Sequence, residues 1–375
     1  MRGSAEIVGG GIGGLFTGYM LAKQGWRVRI NERHSQIREI GAGLYMKNNA
    51  VTLLEHVGIA DIVLKRAVCL RRAEIRDHKD RMLQRRVLAG STRAFNVPRS
   101  DVVLGLAEAA RSAGASVVTD AAVARVDPEG LVVLATGEAR AADLIVVASG
   151  FNSDFRDQLG LTVIARELAN GATRMLVERT DFEAEDITRE WWSGRRRIGL
   201  APTTPDLTNV YMSCPQSDRA GVALPTDIES WGRSFPMLHP VLEKLREATG
   251  ATRYPYTYVR CSRWSKGRAA LVGDAAHSMP PTLGQGAGCT LMNAYVLNEE
   301  LSRASDVPSA LSAWERRIRH VIDETQKWGL RYDALTSNWP LWLSGVRHAV
   351  IWSFGRFRPL NVRMRIADHV DVRVA

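Results

Sequence analysis

Residues 5–33 read AEIVGGGIGGLFTGYMLAKQGWRVRINER. Ala5–Val8 is a short apolar run of the kind that forms a buried strand. Leu15–Gln24 has a helical pattern that stops at Gly25, a residue suited to close a helix. Arg27–Asn31 alternates polar and apolar side chains, the period of a second strand. Strand, glycine turn, helix and strand within about 30 residues make a βαβ unit. The turn has the spacing Gly9-x-Gly11-x-x-Gly14. The first glycine permits the tight turn, the second lets a pyrophosphate approach the backbone, and the third lets the helix pack close to the strand. Gly18 and Gly25 let that helix lie flat on the sheet. Free N–H groups at the helix start face the phosphate. Glu32 follows the second strand, 18 residues after Gly14, where an acid accepts hydrogen bonds from a ribose hydroxyl. The segment predicts a dinucleotide site on an α/β sheet.

The chain has 375 residues, 45% of them hydrophobic and 24% charged. That length suits about two domains, and the composition excludes a disordered chain, a collagen and a small disulfide scaffold. The net charge is +10, yet the tightest basic runs, Arg195-Arg196-Arg197 and Arg316-Arg317-Ile318-Arg319, are short. With no long basic tail, nucleic acid is not an expected partner. Two readings of the arginine excess stay open: compositional bias, or a preference for anionic ligands. Cys69, Cys214, Cys261 and Cys289 form no CxxC pair and lack metal-ligand spacing with a histidine. No metal is expected, and reduced, buried thiols in a cytoplasmic protein are. No signal peptide is read at the start, and no apolar run reaches the ~18 residues of a membrane span. The apolar segment Trp339–Phe357, interrupted by Arg347 and His348, predicts a helix packed on the body.

Further along, Asn49–Val57 and Asp101–Gly114 predict helices, the second with Leu104, Leu106 and Ala109 on its apolar side. Residues 70–88 read as strands or loop, and Val117–Val118, Val123–Val126, Leu131–Leu134 and Leu144–Val147 as strands. From about 160 to 260 the strand candidates crowd together: Leu161–Ala165, Arg174–Glu178, Arg189–Trp192, Arg197–Ala201, Asn209–Cys214 and Tyr254–Cys261. Short helices at 226–235 and 238–248 interrupt them. Ala269–Val272, a long helix from Gly286 to Ser302 and a helical tail over 306–368 complete the chain. The expected architecture is an α/β, Rossmann-like nucleotide-binding domain (1–70, 97–160 and 263–305) with an inserted, mostly β substrate domain (71–96 and 161–262) and a helical C-terminal tail (306–375). No internal repeat is present.

A second cluster, GRAALVGDAAHSMPPTLGQGAG, occupies 267–288. An apolar strand ends near Asp274, an acid able to hold a second polyol. Pro280-Pro281 kinks the chain, and a glycine-rich loop opens a helix whose N–H groups can face an electron-rich ring edge. Two separated sites suit one long cofactor. With VGGGIGG at 8–14, NER at 31–33, REIGAGLYMKNNAVTLLEHVG at 38–58 and the Arg of VPRSDVVLGL at 97–106, the chain resembles the FAD-dependent aromatic-ring monooxygenases of the 4-hydroxybenzoate and salicylate hydroxylase type. The runs GWRVRINERHSQIREIGAGLY and GQGAGCTLMNA are most similar to the branch that includes 2-methyl-3-hydroxypyridine-5-carboxylate oxygenase.

The resemblance implies that Gly9, Gly11 and Gly14 meet the FAD pyrophosphate and that Glu32, with Arg33 beside it, takes the adenosine ribose. It places Arg38 and Arg99 at the phosphates or ribityl chain, Ala42 and Gly43 at the isoalloxazine edge, Asp274 on the ribityl or pyrophosphate side, and Gly286 and Ala287 at the pyrimidine ring. It implies reduction of the flavin by NADH or NADPH, addition of O₂ to give a C4a-hydroperoxide, and hydroxylation of a small aromatic or heteroaromatic ring, phenolic or carboxylate-bearing. No protein nucleophile is then needed. Tyr45, Arg197 and Tyr211 are the expected substrate contacts. The plainer readings are an exposed arginine run for Arg197 and a core aromatic for Tyr211. His277 is read as structural or phosphate-side rather than a general base, and Pro280 and Pro281 as a wall over the flavin. One departure stands out: where the family carries Asp-Gly, this chain has Ser149-Gly150, which removes a charge linked to nicotinamide handling. An FAD oxidoreductase that inserts no oxygen, or a non-catalytic flavoprotein, are the alternatives. A monomer or homodimer is expected.

Overall fold

The computed structural model describes residues 3–372 apart from 38–41, 180–185, 249, 338, 340, 344, 348 and 351–363. Ser4–Val8, the helix Ile12–Lys23 and Arg27–Asn31 form the βαβ unit, with the two strands parallel and Val8 level with Asn31. A Cβ on Gly14 would lie 2.0 Å from the Gly9 carbonyl oxygen, and one on Gly18 would lie 2.5 Å from Ile30 Cδ1. The helix reaches the sheet only because both positions lack a side chain. A six-stranded sheet extends in the order Ser265–Lys266, Ala269–Leu271, Leu144–Val147, Ser4–Val8, Arg27–Asn31, Ser116–Val118. Every neighbouring pair but the first is parallel. Such strands are covered on both faces, which is why Leu144–Val147 is apolar throughout and wholly buried.

The second large sheet has seven strands: Thr252–Cys261, Thr162–Glu178, Leu207–Pro215, Arg196–Pro202, Ile187–Ser193, Arg72–Asp77 and Met82–Val87. One face packs Met175, Val177, Trp191, Ile198, Leu200, Val210 and Met212 against the helices Ile228–Ser234 and His239–Glu247. Side chains alternate along a strand, so Arg174, Glu190, Arg197, Asn209 and Tyr211 share the other face. Asn209 ties that face to a small sheet of Gly43–Lys47, Ala94–Pro98 and Val68–Leu70, accepting a hydrogen bond from Gly43 N at 3.0 Å. The fold is thus an α/β nucleotide-binding domain with an inserted, mostly β unit and a helical tail.

Several details differ from expectation. The strands expected at 161–165 and 174–178 are one 17-residue strand, Thr162–Glu178, whose pairing with Thr252–Cys261 slips between Glu167 and Gly171. At the slip, Gly171 lets the neighbouring strand come close: a Cβ there would meet the Tyr254 carbonyl oxygen at 2.7 Å. Leu104 is 52% exposed. Its helix, Arg99–Ser112, buries Leu106 and Ala109 as expected, together with Val102, Val103 and Ala110, and the turn geometry carries Leu104 to the far side. Cys69 is exposed; the other three thiols are buried.

The tail is one 31-residue helix, Val307–Ser337, followed by Leu341–Leu343 and the turn Ile366–His369. In the apolar segment after it, Trp342 projects into solvent, 80% exposed, while 351–357 lie outside the described residues. The long helix touches both units: Trp314 Nε1 donates to Asn293 O at 2.9 Å, Gln326 Nε2 to Val259 O and Ser278 O at 2.8 and 2.9 Å, and Asp333 accepts from Asn170 at 2.9 Å. Among the described residues, no helix is long and apolar enough to cross a membrane and no group of His, Cys, Asp and Glu could hold a metal ion.

Candidate active site

The glycine turn begins at Gly9, whose φ of 107° excludes ordinary side chains. Gly11 precedes the first helix and has no atom within 4 Å of its would-be Cβ, so the helix N-terminus opens onto free space. Glu32 braces this turn. Its Oε2 accepts from Gly10 N at 2.8 Å, and its Oε1 accepts from His34 N at 3.0 Å and faces His34 Nδ1 at 2.7 Å. Burial alone would raise its pKa, but these hydrogen bonds bring it below the usual glutamate value. Arg33 is exposed beside it, and Arg38 lies outside the described residues.

Asp274 is an exposed first residue of the short helix Asp274–His277, just after Gly273 at φ 66°. Gly286 and Ala287 open the 18-residue helix Gly286–Arg303, and Gly286 also fronts open space. Thr290 joins the two glycine motifs: its Cγ2 would lie 3.0 Å from a Cβ on Gly13 and 3.1 Å from one on Gly273. The small sheet brings in the remaining segment. Ala42 O accepts from Arg99 N at 3.0 Å, and the Tyr45 ring lies 3.0 Å from the Cβ position of Gly284. Residues 42–45, 99 and 284–287 therefore meet in one place next to the nucleotide turn. Two open helix N-termini on adjoining elements, with Glu32 at the first turn and Asp274 at the start of a separate short helix, fit one elongated dinucleotide.

The facing surface of the large sheet is strongly polar. Arg197 is no member of an exposed run: it is 6% exposed. Its guanidinium donates to Ser337 Oγ at 2.6 Å and to Thr336 Oγ1, and lies 4.9 Å above the Trp192 ring. Arg196 points the other way to Asp218 at 2.6 Å, and Arg195 is exposed. Tyr211 donates to Glu190 Oε2 at 2.5 Å, and Trp192 Nε1 donates to Glu190 Oε1 at 2.6 Å. Burial first, then the neighbouring carboxylate, pushes the Tyr211 phenol well above its ordinary pKa. Tyr332 of the long helix links these residues, since Glu190, Arg197 and Arg86 all act on its phenol and Arg86 acts also on Tyr45. Arg197 and Tyr211 thus share one face of the large sheet and act on each other, while the Tyr45 ring packs at Gly284 and against the Val68, Leu70, Leu88 and Ala94 cluster.

Arg174 was not anticipated. It stands directly across from Tyr211 in the strand register. Burial lowers its pKa, and the groups acting on it are Tyr256, Arg99, Tyr211 and Tyr254. Among the described residues, no carboxylate forms an ion pair with it. A cation in that setting suits an anionic or oxo-bearing guest.

Residues 4–324 match the family described as FAD binding domain. A protein named putative 2-heptyl-3-hydroxy-4(1H)-quinolone synthase, from Rhodococcus erythropolis, is 35% identical over 372 residues, covering 96% of each chain. The 2-heptyl-3-hydroxy-4(1H)-quinolone synthase of Mycobacteroides abscessus is 36% identical over 330 residues, 86% of this chain and 88% of that one. The solved tetrameric form of 2-methyl-3-hydroxypyridine-5-carboxylic acid oxygenase superposes with a TM-score of 0.87 at 31% identity, covering 99% of this chain and 97% of that one. The chain belongs to the FAD-dependent aromatic-ring monooxygenases.

In this monooxygenase, Ser149 takes the place of the family Asp and donates to Ser153 Oγ at 2.7 Å. Arg156, three residues on, closes the same loop through the Phe151 carbonyl at 2.7 Å. These two hydrogen bonds tie residues 149–156 together with no charge at position 149. His277 is 1% exposed and packs on Trp264 with ring centroids 5.3 Å apart. Burial drops its pKa to about 4, so it stays neutral at physiological pH. Pro280 rests on Gly329 of the long helix, 3.5 Å from that residue's Cβ position.

Proposed function

We propose that the enzyme hydroxylates a nitrogen heteroaromatic ring carrying an oxo or hydroxy group, with 4(1H)-quinolones as first substrates and pyridine carboxylates as second, using O₂ and NADH or NADPH. The observation that carries the reading is Arg174, set opposite Tyr211 and within electrostatic reach of Arg99 and Tyr256, with no ion pair to a carboxylate among the described residues. Support comes from the names of the 35% and 36% identical quinolone synthases and from the pyridine-carboxylate oxygenase at 31%.

Bound FAD would supply electron transfer from the nicotinamide and the activation of O₂. Gly9, Gly11, Gly14, Glu32, Asp274, Gly286 and Ala287 would hold it. The protein's own share is binding and orientation. Arg174 donates to the oxo or carboxylate oxygen of the ring and draws electron density toward it. Tyr211, protonated and held by Glu190, presents its oxygen as an acceptor for a ring N–H or O–H. The Tyr45 ring and the Pro280-Pro281 turn cover the site from the flavin side and keep water out.

The test is ring-stimulated NADH and NADPH oxidation with 2-alkyl-4(1H)-quinolones, 6-hydroxynicotinate and pyridine carboxylates, followed by mass spectrometry under ¹⁸O₂. One labelled oxygen in the product of a quinolone is expected. Stimulated oxidation without label in any product would mark an oxidoreductase that inserts no oxygen. A monomer or homodimer in the cytoplasm belongs to the same proposal, and light scattering on the purified enzyme measures the first part.

A further inference from the structure

Three segments far apart in sequence meet behind the turn that opens the helix Gly286–Arg303. Gln285, the residue just before that helix, is 2% exposed. Its Oε1 accepts from Asn49 Nδ2 at 3.0 Å, and its Nε2 donates to Asp368 Oδ1. The second oxygen of Asp368 accepts from Lys47 Nζ at 3.2 Å and from Arg365 Nε at 2.9 Å. Lys47 ends the strand that begins at Gly43, and its Cε lies 3.9 Å from the Cβ position of Gly284. The Asp368 side chain is 5% exposed. One buried carboxylate from the end of the chain therefore fastens both segments assigned to the flavin ring, 42–47 and 284–287.

We infer that Asp368 is a positioning residue of the flavin site, acting through Gln285 and Lys47 to hold the Gly284–Ala287 turn in the shape that grips the pyrimidine end of FAD. The inference rests on the reading of that turn as the flavin-facing helix start. Its physical basis is hydrogen-bond accounting. Without Asp368, Gln285 Nε2 and the Lys47 ammonium would be left buried without their shared acceptor, and unpaired buried donors are costly enough to force local rearrangement. Gln285 cannot move without carrying Gly284, at φ 61°, and Gly286, which fronts open space. The cations held by Asp368 supply a second readout. The groups facing this carboxylate are Lys47, Arg365 and Tyr45, with Arg86 close by. Lys47 is the one of these cations whose Cε reaches the Gly284 turn, at 3.9 Å from its Cβ position, and a positive charge there favours the anionic form that a flavin takes on reduction.

The experiment compares the native holoenzyme with Asp368→Ala, Asp368→Glu and Lys47→Met, reading the FAD dissociation constant by fluorescence, the flavin midpoint potential and the melting temperature of each apoprotein. Asp368→Ala is expected to weaken FAD binding by about 10- to 100-fold, the range for losing a charge-assisted buried network, while the apoprotein melts near the native temperature. Asp368→Glu is expected to recover most of the affinity. Lys47→Met, which keeps the Gln285 contact, is expected to lower the midpoint potential. Unchanged affinity in Asp368→Ala, or a lost affinity matched by an equally destabilised apoprotein and no recovery with glutamate, overturns the inference. If Asp368→Ala does not fold, an unaltered potential in Lys47→Met overturns it. Native protein that takes up no FAD would instead remove the reading of the site itself.

Discussion

Tyr211 lies across Gly199 so closely that a Cβ on the glycine would sit 2.0 Å from Tyr211 Cε1 and 2.6 Å from its hydroxyl. The two residues face each other in adjacent strands, and only hydrogen at position 199 lets the ring lie down and reach Glu190. Gly199→Ala should push the ring off and break the 2.5 Å bond to Glu190. The overpacking costs about 1–3 kcal/mol in stability. Turnover should fall further than that cost explains, and Tyr211→Phe, which keeps the ring and loses the hydroxyl, should reproduce the fall in kcat/KM without the loss in melting temperature. Equal activity in native enzyme and Tyr211→Phe would separate this hydroxyl from the chemistry.

Gly14→Ala tests the nucleotide turn. The new methyl would collide with the Gly9 carbonyl oxygen at 2.0 Å, and that oxygen is backbone at the strand end, where Gly9 N donates to Asn31 O at 2.9 Å. The expected outcome is a protein purified without flavin absorbance. Gly11→Ala should fold normally, because nothing lies within 4 Å of that Cβ, yet bind FAD more weakly because the methyl enters the ligand's space. Visible spectra of the two purified variants decide the matter.

Arg174→Met should spare FAD and strike the substrate. Removing a charge-assisted hydrogen bond costs about 1.5–3 kcal/mol, which is roughly a 10- to 100-fold rise in KM. Arg174→Lys should recover little for a ligand gripped by two parallel N–H donors and more for one gripped by charge alone. Steady-state kinetics with the best ring from the substrate panel provide the readout.

His277 sets a pH dependence of stability. Its pKa falls from 6.5 to about 4 on folding, so the unfolded chain binds this proton at a higher pH than the folded one. Its contribution is complete above about pH 6.5 and is lost as pH falls toward 4, by up to about 3 kcal/mol. His277→Asn should flatten the decline in melting temperature across that window. Parallel curves for native and variant protein would refute the assignment.

Much of this was legible because it is local. The glycine spacing, the Glu32 position and the apolar run Leu144–Val147 depend on residues close in sequence, and their periods survive without tertiary context. The end of the helix at Gly25 and the start at Gly286 read directly. Arg174 was not legible. It becomes interesting only through its register with Tyr211, 37 residues later, and nothing in its own neighbourhood distinguishes it from other arginines. The run Arg195-Arg196-Arg197 shows the same limit: three identical side chains go to solvent, to Asp218 and to Ser337, and the choice is made by strand alternation against partners elsewhere. Asp368 was invisible for a similar reason, as its partners come from residues 47, 285 and 365.

The long terminal helix has a consequence for how such chains can vary. Gln326 grips Ser278 beside the flavin motif, and Thr336 and Ser337, about three turns further on, receive Arg197 from the opposite sheet. One residue added or deleted between them would rotate the second grip by about 100° around the axis and shift it by about 1.5 Å. Loops elsewhere can lengthen freely, but this span behaves as a ruler with fixed graduations. The gap into which a ring must slide is set by counting residues along it.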